Sequence, residues 1–116
     1  MVSKAVARFQ PIAPRKARLV ADLVRNRTVK EALDILRFTP KKAARHIYKV
    51  VRSALANAQN EDPSYNEENL YVERIFVDEG GIRYWRRPRA RGMAYRIRRR
   101  RCHITVILDS MEGEQP

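Results

Sequence analysis

Cysteine, histidine and glycine are scarce in this chain, and each scarcity removes a class of function. The sequence holds one cysteine, two histidines and four glycines. A lone Cys102 excludes an internal disulfide and suits a reducing compartment. One Cys with two His cannot furnish a structural zinc site of the common types, and no cofactor is expected. Gly80-Gly81 precedes no G-K-[ST], so it reads as a kink or bend in a strand rather than a phosphate loop. No apolar run approaches the ~18 residues of a membrane-spanning helix. The opening MVSKAVARFQ lacks the apolar centre of a signal peptide, so the chain reads as cytoplasmic, with no membrane partner. The most telling shortage is local: from Gly80 to Arg101 there are ten arginines, no Asp, no Glu and no Lys.

What is present is charge of one sign in one place. The net charge is +12, from 25 Lys and Arg against 13 Asp and Glu, and apolar residues make up 44% of 116. Without the ten arginines of 83–101, the remaining 15 bases nearly balance the 13 acids. A milder excess opens the chain, where Lys4, Arg8, Arg15, Lys16 and Arg18 precede the first acid, Asp22. A nearly neutral body with one very basic limb points to a polyanionic partner, most often nucleic acid. The length suits a single domain, 1–116.

The order of elements is β-ααα-ββ, an α+β layer pair. Residues 2–9 alternate loosely and read as a short strand closed by Pro11 and Pro14. Pro14 is well placed to open a helix to Arg25, although Ala13 before it is a poor cap, forgoing about 1 kcal/mol. Leu19, Val20, Leu23 and Val24 are expected to form its buried side, with Arg15, Arg18, Asp22 and Arg25 on another. Thr28 and Glu31 make a capping box for a second helix carrying Val29, Ala32, Leu33 and Leu36 at helical spacing. Thr39-Pro40 ends it and starts a third, about 40–60, whose alanine-rich stripe suits close packing on a sheet. Lys41, Arg45, Lys49 and Arg52 line the opposite flank. EDPSYNEE, 61–68, is a surface loop, and NLYVERIFVDE and CHITVIL are strands.

The basic limb lies between those two strands. Ile82, Tyr84, Trp85, Tyr95 and Ile97 favour strand over coil, so both strands are expected to continue outward as one antiparallel hairpin turning near Pro88–Gly92. The body then comprises about 1–79 and 102–110, and the hairpin 80–101. Each arm of ~15 residues reaches roughly 50 Å, far beyond a globule of this length. A two-stranded ribbon is marginal alone, and consecutive Arg98 to Arg101 repel one another. Phosphates supply the counter-charge, while arginine planes, Tyr84, Trp85 and Tyr95 can stack on unpaired bases. Plainer readings are a solvated charged loop or an embedded localisation signal. The interleaved aromatics and the missing lysines argue against both.

Catalysis finds little support. Asp78 and Glu79 are adjacent in a strand, face opposite ways, and are expected to end that strand. Cys102 beside His103 diverges for the same reason, leaving a core thiol and a cross-strand or RNA-contacting histidine. His46, beside Arg45, is expected at the surface or on a phosphate.

"RRPRARGMAYRIRRRRCHITVIL" (86–108) closely resembles the signature of the ribosomal large-subunit protein twenty-two family, P-R-A-[RK]-G and then about ten residues to H-I-T-V. "IAPRKARLVADLVR" (12–25), "EALDILRFTPKKAA" (31–44), "SALANAQN" (53–60) and "FVDEG" (76–80) resemble the same family in the same order, covering about 4–109. The resemblance implies a three-stranded antiparallel sheet packed on three helices, with a long projecting β-hairpin. It implies a structural, non-enzymatic constituent of the large ribosomal subunit, monomeric within the ribosome, supporting subunit assembly. Its expected partners are large-subunit rRNA, neighbouring large-subunit proteins and the nascent polypeptide, because the family's hairpin tip lines the peptide exit tunnel. By motif, Pro88, Arg89, Ala90, Arg91 and Gly92 fall at that tip, and Arg15, Lys16 and Arg18 match P-R-K-x-R, a helix start facing rRNA. Lys4, Arg8, Arg83, Trp85, Arg86, Arg87, Arg96, Arg98, Arg99, Arg100 and Arg101 are the other expected RNA contacts. The chain departs from the family pattern at Ala13, Met93, Tyr84-Trp85 and Arg86-Arg87. Two competing functions are a duplex-DNA module inserting a β-ribbon into a groove, and a membrane-surface protein. The first lacks an evident dimer interface, the second a basic helix with a strongly apolar face.

Overall fold

The computed structural model describes residues 1–88 and 94–111, with side chains described outside 82–99. Six elements follow in order: β1 (Ser3–Gln10), α1 (Pro14–Val24), α2 (Val29–Phe38), α3 (Lys42–Glu61), β2 (Leu70–Pro88) and β3 (Ala94–Ser110). The three strands form one antiparallel sheet in the order β1-β3-β2. The expected α+β fold is therefore present. Both late strands run on past the body: pairing continues without a break in partner from Ile82↔Arg100 to Pro88↔Ala94. The molecule measures 70 × 25 × 20 Å with a radius of gyration of 17.4 Å. A compact chain of this length would give roughly 13 Å.

The helices form where local signals agree with burial. Thr28 accepts a hydrogen bond from the Glu31 N–H, and Val29, Ala32, Leu33 and Leu36 are buried along one side of α2. Pro14 opens α1 with no side-chain cap from Ala13. On α3, Ala43, Ala44, Ile47, Val50, Val51, Ala54 and Ala58 are buried, and the small residues let the helix lie close to β1 and β3. Burying a side chain such as Ile47 stabilises the fold by about 1.5–3 kcal/mol. The face of α1 differs from expectation. Leu19 and Leu23 are 58% and 46% exposed, while Ala17, Val20, Ala21 and Val24 are buried. The buried set keeps the i, i+3, i+4, i+7 spacing, and its two alanines bring α1 nearer the sheet than leucines would allow.

On β3, Cys102, Ile104, Val106 and Leu108 alternate toward the helices and are fully buried. β2 has 19 residues against 17 in β3, and two β-bulges hold the difference, one between Val72 and Arg74 and one between Glu79 and Ile82. The second contains Gly81 at φ +88°, a left-handed conformation that glycine adopts without strain. Gly80 is equally constrained, since a Cβ there would lie 3.1 Å from the backbone of Arg101 and of Cys102. The Gly80-Gly81 pair is thus a bulge, in keeping with the expected bend. Asp78 and Glu79 do not end the strand as expected: they sit opposite His103 and Cys102 within β2. The strand passes through them because the bulge takes up one extra residue on β2 and pairing resumes at Ile82.

Candidate nucleic-acid interface

Below the bulge between Glu79 and Ile82 the sheet has three strands, and above it two. β1 stops pairing at Gln10↔Cys102, where the sheet narrows to a ribbon. The ribbon's register sets Arg83 opposite Arg99, Arg86 opposite Arg96 and Tyr84 opposite Arg98. Directly opposed like charges weaken an antiparallel pair, so this stretch gains nothing electrostatically from its own partner strand. Trp85 stands opposite Ile97, and Arg87 opposite Tyr95. Pro88 is the last residue of β2, and the remaining expected tip residues, Arg89, Ala90, Arg91 and Gly92, lie outside the described residues.

At the ribbon's root, Arg100 is exposed and Arg101 half-buried. The Arg101 guanidinium lies 4.9 Å over the ring of Phe9, and its Nε is buried without a hydrogen-bond partner. Arg100 and Arg101 line a cleft of about 140 Å³ with Pro14, Glu79 and Gly81, so the start of α1 meets the root of the ribbon. Lys4 and Arg8 are exposed on β1, and Arg15 and Lys16 are exposed in the first turn of α1.

Arg18 is partly committed within the fold. Its Nε and Nη2 donate to the Val77 carbonyl at 3.2 and 2.9 Å. Arg25 donates from Nη2 to the Ile75 carbonyl at 3.0 Å and pairs with Asp22. β2 is the sheet's edge, and these two arginines occupy carbonyls that the edge would otherwise present to another strand. The α1–α2 loop closes the same edge farther down, through Asn26 N–H to Val72 O and Val72 N–H to Arg27 O.

Two features of this surface were not anticipated. Phe9 is 54% exposed and carries φ +53°. Its only warning in the sequence was the loss of alternation just before Pro11. The second is a groove of about 1050 Å³ between the end of α2 and the start of α3. Arg37, Lys41, Lys42, Arg45 and Lys49 line it, with no carboxylate among its lining residues. There the Tyr48 hydroxyl accepts from Arg37 and Arg52, each at 3.4 Å, which holds the phenol below its ordinary pKa.

The residues that could suggest catalysis are used otherwise. Burial pushes the Cys102 thiol up, with the Arg18 charge opposing, so the sulfur is a core atom and a poor nucleophile. His103 points to the other face, where its Nδ1 accepts from the Phe9 N–H at 3.0 Å. His46, expected at the surface or on a phosphate, meets Gln10 of β1. It is half-buried, and its Nδ1 lies 2.8 Å from Gln10 Oε1. Since Gln10 Nε2 donates to the Arg8 carbonyl, Oε1 is the acceptor and His46 Nδ1 carries the proton. Among the described residues, no three His, Cys, Asp or Glu gather to hold a metal, and no helix is long and apolar enough to cross a membrane.

Comparison with known proteins agrees with the motif reading. A family model described as Ribosomal protein L22p/L17e matches residues 5–109. Three similar curated proteins are each called Large ribosomal subunit protein uL22. That of Desulforamulus reducens is 50% identical over 114 residues, covering 97% of this chain and all of that one. That of Syntrophobacter fumaroxidans is 52% identical over 109 residues, covering 93% and 97%. That of Pseudothermotoga lettingae is 50% identical over 113 residues, covering 96% and 79%. With its fold, its arginine ribbon and a match that spans nearly every residue, the chain belongs to the Ribosomal protein L22p/L17e family, whose members are structural rather than catalytic.

Proposed function

We propose that this protein is a structural constituent of the large ribosomal subunit that binds large-subunit rRNA and supports subunit assembly. On this reading the tip, Pro88 to Gly92, lines the nascent-peptide exit tunnel. One observation carries it: β2 and β3 continue as a paired ribbon whose register opposes arginine to arginine, with no acid above Glu79. A ribbon so charged has its electrostatic complement in another molecule, and a polyphosphate backbone supplies it. Lys4, Arg8, Arg15 and Lys16 extend the contact onto the body, and Arg18 joins them with the donors that Val77 leaves over. The protein is a ribosome-bound monomer in the cytoplasm, beside other large-subunit proteins.

The test is binding of the full chain to folded large-subunit rRNA across a salt series. The expected result is tight binding, with log K falling by roughly 0.9 per phosphate neutralised for each unit of log salt, as calibrated on duplex DNA. Equal affinity for plain duplex DNA would favour the groove-inserting alternative. Changing Arg89 or Arg91 should alter nascent-chain pausing while leaving incorporation into subunits intact. Loss of incorporation from tip changes as severe as from arm changes would refute that division.

A further inference from the structure

Phe9 occupies a conformation that a large side chain adopts only at a cost. β1 pairs Ala7 with Ile104 and Gln10 with Cys102, so one extra residue is inserted on β1 between them. A bulge of this kind places a residue in the left-handed region, where glycine is usual. Here the residue is Phe9, at φ +53°. For a bulky residue such a φ is a real outlier, and outliers of this sort gather at functional sites.

The bulge decides where the ring goes. Lys4, Val6 and Arg8 alternate on the exposed face of β1, so strict alternation would turn Phe9 toward the helices. The inserted residue instead brings its ring to the exposed face, beside the two β3 residues that look the same way. The His103 ring meets it edge-on, with centroids 4.7 Å apart and planes at 84°. His103 Nδ1 also accepts from the Phe9 N–H at 3.0 Å, fixing the backbone that holds the ring. Arg101 lies over the ring at 4.9 Å. Despite three contacts, the residue remains 54% exposed. The fold thus spends strain, a histidine and an arginine on holding an aromatic ring at the surface, at the point where the sheet becomes a ribbon.

We propose that Phe9, fixed by His103 and Arg101, is a stacking platform for one unpaired nucleobase of the RNA that enters at the ribbon's root. A ring is sequence-tolerant toward any base, and the neighbouring Arg8 and Arg100, both exposed, would meet the phosphates on either side of it. This inference rests on the rRNA-binding reading above and adds to it a non-ionic contact at a defined residue.

The experiment uses the full chain and full-length large-subunit rRNA, comparing wild type with Phe9→Leu and Phe9→Tyr over a salt series. Phe9→Leu keeps an apolar side chain but removes the stacking face, and is expected to weaken binding roughly tenfold or more. The salt slope should not change, because no phosphate contact is lost. Phe9→Tyr should bind like wild type. Chemical probing should show one unpaired base shielded by wild type and by Phe9→Tyr, and open in Phe9→Leu. Thermal melting of both variants checks that the body is folded. Equal affinity of Phe9→Leu and wild type, with the chain folded, would overturn the proposal and leave the ring free for a protein neighbour. So would a tenfold loss shared by Phe9→Tyr, or a loss accompanied by a flatter slope. A wild type with no affinity for the rRNA would instead defeat the reading on which the inference stands.

Discussion

Below Glu79 and Cys102, β2 and β3 turn Ile75, Val77, Ile104 and Val106 toward three helices, and none of these is more than 4% exposed. Above that level the same two strands keep their antiparallel register but oppose Arg83 to Arg99 and Arg86 to Arg96. The lower part answers the loss of chain entropy with apolar burial inside the protein. In the upper part like charges face each other across the pair, so compensation has to come from outside. One pair of strands is therefore governed by folding in one half and by binding in the other. Gly80, Gly81 and Phe9 mark the boundary.

That contrast is most strongly tested in the body. Ile104→Ala should cost about 2–5 kcal/mol, the range for a large core side chain cut to alanine, read from urea unfolding of the free protein. A quadruple change of Arg98, Arg99, Arg100 and Arg101 to Ala should leave that unfolding curve nearly unmoved. It should lower affinity for large-subunit rRNA roughly 100-fold and flatten the salt slope by about 3. If the arginine variant unfolds as readily as Ile104→Ala, the ribbon is part of the core's cooperative unit and the division is false.

The boundary itself comes next in size. Gly80→Ala places a Cβ against the backbone of Arg101 and Cys102, which cannot move aside without breaking the pairing, and should cost about 1–3 kcal/mol. Gly81→Ala meets open space, so its cost is that of a left-handed alanine alone, about 1–2 kcal/mol. Calorimetric melting of both variants ranks them, and an unchanged melting temperature in Gly80→Ala would show that the close approach is not real. Arg18→Ala should cost about 1 kcal/mol through the lost bonds to Val77. A wild-type melting temperature in that variant would leave Arg18 as an RNA contact only.

Much of this contrast could be read from residues in order. Val29, Ala32, Leu33 and Leu36 keep helical spacing behind a capping box, and α2 forms with those four buried. The arginine run without acid gave the ribbon, because strand-forming Ile82, Tyr84 and Ile97 extend two strands already implied by their own alternation. What escaped depends on docking rather than on local pattern. Leu19 and Leu23 looked more apolar than Ala17 and Ala21, yet the helix turned its small residues to the sheet because closeness won over side-chain size. Arg18 and Arg25 looked like one more basic face until β2's edge carbonyls came within reach. Phe9 was hidden for a different reason: the lost alternation before Pro11 does not say which residue turns left-handed, and the register between β1 and β3 is what places the bulge.

The smallest effect expected is one of pH, and it belongs to the body. Burial first, then the charges of Lys42 and Lys49, hold His46 below its ordinary value of 6.5. A histidine depressed in the folded state binds protons more readily once the chain unfolds. The stability this represents is complete above the unfolded value near 6.5 and is lost as pH falls below it and through the folded value. Protonation would also place a third cation beside Lys42 and Lys49, against a groove that has no carboxylate lining it. The free protein should accordingly unfold at a lower urea concentration at pH 5 than at pH 7. His46→Asn can keep the donor to Gln10 Oε1 without titrating, and should show less of that drop. If the two proteins lose the same stability between pH 7 and pH 5, the acid sensitivity of the body lies elsewhere. If rRNA then restores the wild type at pH 5 more than His46→Asn, phosphates reach this groove as well as the ribbon, and the body is more than a plinth for it.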